Sequence, residues 1–137
     1  LEPALQWLVE NIRARYGLEI FLTDDRLPKP TDEKTRVILF RSIRELLINA
    51  AKHAKAGRIH LQLERLGDEL AVVVDDDGVG MDPAAPGIQG SGLFSIQERL
   101  AHIGGGMRIE STPGNGTQIR LRAPVRKERQ EGVRNTT

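Results

Sequence analysis

Two runs of strict alternation, joined by the turn Gly67-Asp68, constrain this chain more than any other feature. Arg58–Leu66 places Ile59, Leu61 and Leu63 on one face, and the return run Glu69–Asp76 does the same with Leu70, Val72 and Val74. A period of two marks strands with one face turned to a core, and the short Gly-containing link reads as a hairpin. The face of the second run does not end apolar. Continuing the alternation puts Asp76 at its rim, in the layer of Leu70, Val72 and Val74. Asp75 and Asp77 point the other way or leave the strand, so the run Asp75-Asp76-Asp77 cannot act as a carboxylate cluster on one metal. Gly78 and Gly80 follow at the spacing that a close backbone approach needs.

A second hairpin is expected of Met107–Ser111 and Thr117–Ala123, around the turn Pro113-Gly114-Asn115-Gly116. Thr117 shares a face with Ile119 and Leu121, which sets its hydroxyl in the same layer as Asp76. Elsewhere the period is helical. Residues 3–16 carry Leu5, Leu8, Val9, Ile12 and Tyr16, with Pro3 suited to the first turn and Gly17 to the stop. Residues 33–55 place Leu39, Ile43, Leu46, Leu47, Ala50 and Ala54 on one face, with Thr31 or Asp32 as cap. A third helix opens at Leu93, carries Ile96, Gln97 and Leu100, and ends before Gly104. A short strand, Leu18–Thr23, lies between the first two helices. The expected fold class is α+β: a two-layer α/β sandwich with a mixed, mostly antiparallel sheet and helices on one face.

Composition narrows the function. A chain of 137 residues is expected to form one domain, here residues 1–124, followed by a polar, disordered tail, 125–137. With 20 Lys+Arg against 19 Asp+Glu, the net charge of +1 offers no bulk attraction to nucleic acid or to an anionic membrane, and neither is expected as a partner. Cysteine is absent, which removes disulfides and thiolate metal sites and suits a reducing compartment. No run approaches the roughly 18–20 apolar residues of a membrane span. The expectation is a cytoplasmic domain, and the start at Leu1, inside a helical pattern, suggests a piece of a longer protein.

Candidate ligand-binding residues fall in three places. Gly90-Ser91-Gly92 precedes the helix at Leu93, where free N–H groups and the helix dipole suit phosphate. It is neither a Walker loop, since no Lys-Ser/Thr follows, nor a dinucleotide fingerprint. Glu45, Asn49 and Lys52 step by four and three along the border of the long helix's apolar face. Asn49 is a hard oxygen donor suited to magnesium, Glu45 could polarise a water or ligand, and Lys52 could face phosphate. The third place is Asp76 with Thr117. Each has a plainer reading when taken alone: solvated helix residue, helix start without ligand, or turn residue. His53, His60 and His102 lack metal-ligand spacing.

Taken together the segments resemble the ATP-binding catalytic domain of sensor histidine kinases, in the superfamily that includes Hsp90, DNA gyrase and MutL. RELLINAAKHA (Arg44–Ala54) resembles the N box, DDGVGM (Asp76–Met81) the first glycine box, GSGL (Gly90–Leu93) the second, and GNGT (Gly114–Thr117) the closing GxGT. The form of the N box, the continuation GLFSIQERLAHIGG and the short segment between the glycine boxes resemble the subgroup acting on LuxR/NarL-type response regulators. The resemblance implies the Bergerat ATP-binding fold, with ATP between helices and sheet. It implies that Asn49 coordinates Mg2+ and that Asp76 accepts a hydrogen bond from the adenine amino group. Gly78 and Gly80 would pass the base, Gly90, Gly92 and Leu93 would form the phosphate-side box, and Thr117 would sit beside Asp76. Lys52 matches a residue near phosphate, and Glu45 the general base of the ATPase relatives. Met81–Gln89 matches a short lid. The phosphoacceptor histidine of such kinases lies in upstream dimerisation helices, and none of the three histidines here has that context. The implied partners are those helices and the response regulator, with a homodimeric parent and a fragment that can be monomeric. The rival expectations are an ATPase of the gyrase or Hsp90 kind, a serine kinase of the anti-sigma-factor type, and a non-enzymatic nucleotide-binding module.

Overall fold

The structure is a computed structural model that describes residues 1–52, 57–78, 92–111 and 113–126. Elements run α1 (Glu2–Tyr16), β1 (Glu19–Asp24), α2 (Glu33–Lys52), β2 (Arg58–Leu66), β3 (Glu69–Asp76), α3 (Leu93–His102), β4 (Gly106–Ser111) and β5 (Thr117–Pro124). The strands form one sheet in the order β1-β2-β3-β5-β4. β1 is parallel to β2 and every other pair is antiparallel. The three helices pack on one face, so the α+β sandwich with a mixed sheet is as expected.

The helix ends follow local chemistry. Pro3 sits in the first turn of α1, and the Gly17 N–H closes its end on the Arg13 carbonyl at 2.9 Å. Of the two candidate caps for α2, Asp32 does the capping: its Oδ1 accepts the Thr35 N–H at 2.8 Å. α2 buries Leu39, Ile43, Leu46, Leu47 and Ala50, the stripe its periodicity requires. Ala54 and Lys55, expected in the same helix, lie outside the described residues.

Pairing sorts the sheet's inner face into rows. Leu22, Leu61, Val74, Ile119 and Ile109 are register partners across all five strands, and Leu63, Val72, Leu121 and Met107 form the next row. The third row begins apolar with Ile20 and Ile59, then turns polar with Asp76, Thr117 and Ser111. The helices close over the apolar rows in one cluster that joins Leu5, Leu8, Ile43, Leu47, Ile96 and Leu100 to the sheet. Truncating such a side chain to Ala costs about 2–5 kcal/mol.

Alternation alone underestimates burial on β3. Ala71 and Val73 face away from the helices and are still buried. Val73 is flanked by Gln62 and Arg120, and Ala71 by Glu64 and Arg122. A central strand has long side chains on both sides, and their stems cover the small residues between them. Beyond β5, Val125 is buried and its N–H donates to the Asp68 carbonyl at 2.9 Å. Residues 127–137 lie outside the described residues.

Candidate functional site

The polar row Asp76–Thr117–Ser111 sits where the inner face of the sheet emerges from under the helices. Asp76 and Thr117 are direct partners across β3 and β5, the layer that alternation assigned them. β5 can begin this close to the end of β3 because residue 116 is glycine. Gly116 has φ 78°, and a Cβ there would run into the Asp76 carbonyl oxygen. The Thr117 side chain is buried, and its Oγ1 lies 2.8 Å from Ser111 Oγ, which also donates to the Gly116 carbonyl at 2.9 Å.

Asp76 is partly buried, and its Oδ1 accepts the Gly78 N–H at 2.8 Å. Burial pushes its pKa above the ordinary carboxylate value, helped by the negative charges of Asp75 and Asp77 and resisted by the N–H groups of Gly78 and Thr117. Asp77 is different. It is exposed, and its Oδ1 accepts the N–H groups of Gly57 and Arg58 at 2.9 Å each, which holds its pKa low. Its carboxylate therefore ties the end of β3 to the start of β2, while Asp76 faces the helix side.

The second part of the site lies between α2 and α3. Glu45 Oε2 meets Arg99 Nη2 at 3.2 Å, with both side chains partly exposed. Gly92 has φ 92°, which favours glycine there, and the Glu45 carboxylate tip lies where a Cβ on residue 92 would sit, so a side chain would push it aside. Gly92 precedes α3 without a side-chain cap, and its carbonyl accepts the Ile96 N–H at 3.2 Å. The structure thus brings Glu45 of the N-box segment against Gly92 of the second glycine box. Asn49 follows Glu45 one turn later on α2 and is partly buried; Lys52 is exposed in the last turn. Leu93 is buried in the core, where it anchors the start of α3. Gly78 is buried behind Asp76. Gly80, Gly90, Ser91 and the expected lid Met81–Gln89 lie outside the described residues.

Two residues escaped sequence reasoning. Ser111 carried a readable signal, since it follows Met107 and Ile109 at period two and so falls in the layer of Thr117. Arg99 carried none, because its partner Glu45 is 54 residues away.

Residues 34–127, more than half of the chain, match the family described as histidine kinase-, DNA gyrase B- and HSP90-like ATPase. The chain belongs to this family. Over 133 residues it is 41% identical to an uncharacterized sensor-like histidine kinase of Chloroflexus aurantiacus, covering 91% of this chain and 22% of that protein. It is 29% identical over 128 residues to the signal transduction histidine-protein kinase/phosphatase DegS of Brevibacillus brevis, covering 93% of this chain and 33% of that protein. The chain therefore spans only a fifth to a third of these two curated relatives. Among solved structures, the blue-light activated histidine kinase of Erythrobacter litoralis superposes with a TM-score of 0.75 at 18% identity, over 92% of this chain and 42% of that one. The mycobacterial sensor histidine kinase MprB gives 0.69 at 24% identity, over 91% of this chain and 94% of that one. At those identities the superpositions establish the fold, the same sandwich found here.

As a member of this family the domain is an ATP-binding one. The chemistry of the described residues is compatible with such a ligand: a partly buried carboxylate can accept from an amino donor, and an uncapped helix start offers free N–H groups to phosphate.

Proposed function

We propose that this domain is the ATP-binding catalytic part of a sensor histidine kinase. It binds Mg-ATP and donates the γ-phosphoryl group to a histidine on upstream dimerisation helices of its parent. The observation that carries the reading is the pairing of Asp76 with Thr117 at the polar end of an otherwise apolar sheet face. A desolvated acceptor there favours adenine, whose amino group donates, over guanine, which presents a carbonyl at the same position. Asn49 would hold a magnesium ion that neutralises phosphate charge when bound. Phosphoryl transfer asks mainly for positioning and charge stabilisation. The start of α3 at Gly92 supplies fixed dipoles, and Lys52 adds a cation at the end of α2. Glu45, set against Gly92 and paired with Arg99, holds the two helices in register at that end.

The finer assignments rest on the resemblance of the boxes: a LuxR/NarL-type response regulator as the next acceptor, a homodimeric parent, and action in the cytoplasm, where ATP is abundant. Among the described residues no helix is long and apolar enough to cross a membrane.

The test is calorimetry of a non-hydrolysable Mg-ATP analogue with wild type and Asp76→Asn. Wild type is expected to bind and the variant to lose at least about tenfold in affinity. Equal affinity of the two sinks the site assignment. Adding a phosphoacceptor helix pair in trans then separates the readings. Label on its histidine supports the kinase, while free phosphate release abolished by Glu45→Ala supports the ATPase.

A further inference from the structure

The direction of one proton in the polar row is decided by its neighbours. Ser111 Oγ lies 2.9 Å from the Gly116 carbonyl oxygen and 2.8 Å from Thr117 Oγ1. A carbonyl only accepts, so the serine proton must point to it; otherwise two bare oxygens would face each other at hydrogen-bond distance. A hydroxyl carries one proton, so the contact with Thr117 is made by the threonine proton pointing at serine. Thr117 Oγ1 therefore has no proton left for a ligand and offers only lone pairs. Asp76, its partner across β3 and β5, is an acceptor as well once ionised.

We infer that Ser111 is a specificity-determining residue. Through its bond to the Gly116 carbonyl it holds the Thr117 hydroxyl as an acceptor, so that the base-recognising end of the pocket accepts hydrogen bonds and gives none from its side chains. Ser111 acts through Thr117 and is a positioning residue. A purine bearing a 6-amino group meets this corner with the donor it lacks. A purine bearing a 6-carbonyl puts an acceptor at that position, with its donor moved to N1–H, and the carbonyl finds no side-chain proton there. Removing the serine hydroxyl frees the Thr117 proton to turn toward the ligand, and discrimination against a 6-carbonyl weakens. The inference rests on the proposed nucleotide site.

The experiment is competition between Mg-ATP and Mg-ITP, which differ at the 6-position and in the proton on N1, on wild type, Ser111→Ala and Ser111→Thr. The ATP:ITP affinity ratio is expected to fall about three- to tenfold in Ser111→Ala, the worth of one ordinary hydrogen bond. It is expected to stay at the wild-type value in Ser111→Thr, which keeps a hydroxyl. A general loosening of the hairpin lowers both affinities together and leaves the ratio unchanged; an unchanged ratio overturns the inference. Thr117→Val provides the second arm. In that background there is no threonine proton to release, so adding Ser111→Ala must leave the ratio where it is. A shift there as large as in the single variant also overturns the inference. Wild type that binds neither nucleotide overturns the proposed function itself, which keeps the two failures apart.

Discussion

The two ends of the sheet treat their charges in opposite ways. At one end, beyond β1, Lys29 is buried and binds Asp24 at 2.6 Å, Asp25 and the Leu27 carbonyl. Asp25 Oδ2 also accepts the Arg65 N–H at 2.7 Å, and Arg65 donates to the Pro28 carbonyl at 2.7 Å. The knot ties loop 24–32 to the end of β2, and the Arg126 N–H closes it to the chain's last described residues through the Pro30 carbonyl. Bonded to Lys29 and Arg65, Asp25 has its pKa pulled down to about 2. At the other end Asp76 has its pKa pushed up by burial, beside two further aspartates and with no described cation in contact. One end uses its carboxylates to hold the fold. The other also ties its strands with Asp77, but it keeps Asp76 partly desolvated, at a cost in stability, where the proposed nucleotide site lies.

Three substitutions probe this contrast, in descending order of effect. Gly116→Ala should be the most damaging, because it breaks the approach that makes the functional end. A positive φ and a clash with the Asp76 carbonyl together cost about 3 kcal/mol. A thermal melt lowered by several degrees, with nucleotide binding lost in parallel, is expected; a melt equal to wild type contradicts the close packing of β5 on β3. Asp76→Asn follows. It should cost about ten- to a hundredfold in nucleotide affinity yet leave stability unchanged or slightly raised at neutral pH, since it removes a partly desolvated charge. A drop in melting temperature as large as that of a core truncation would place Asp76 among the structural carboxylates. Lys29→Met is third. It leaves Asp24 and Asp25 facing each other without their cation and should lower stability by about 1–2 kcal/mol, between the values for exposed and buried pairs. Nucleotide affinity should not change, because the knot and the site lie at opposite ends of the strands. Loss of affinity without loss of stability would refute that separation.

The contrast also explains what was legible in the sequence. The strands, the helical stripes and the shared layer of Asp76 and Thr117 follow from period two and the helical period, which are local properties of the chain. The Asp32 cap and the Gly67-Asp68 turn are local as well. The Lys29 knot was not readable, although its core is only a few residues long. The loop that carries Lys29 is pinned by Arg65, which reaches the Pro28 carbonyl from 37 residues away, and nothing in the pattern around Pro28 and Pro30 distinguishes a bound lysine from a solvated one. Glu45 was found by its place on a helical stripe, but its partner Arg99 arrives from another helix. The burial of Ala71 and Val73 depends on which strands became neighbours of β3. Each miss is a contact set by topology and not by periodicity.

The smallest effect separates the two ends by pH. The folded pKa of Asp25 lies below its ordinary value of 3.8, at about 2, so its contribution to stability is fully present above the unfolded pKa. It is lost as pH falls from 3.8 toward 2. The pKa of Asp76 is shifted the other way. Its charged form is penalised in the folded state, so protonation relieves a cost to stability while removing the acceptor that a ligand's amino group needs. That loss sets in at a pH above 3.8, before the knot begins to loosen. Titrating downward should therefore release nucleotide first and weaken the fold second. Because nucleotide phosphates titrate too, the measurement is the affinity ratio of wild type to Asp76→Asn at each pH, alongside the melting temperature of the free protein. The ratio should begin to fall while the pH is still above 3.8 and the melt holds its Asp25 contribution. If the two decline together, or the melt goes first, Asp76 and Asp25 are not tuned in opposite directions.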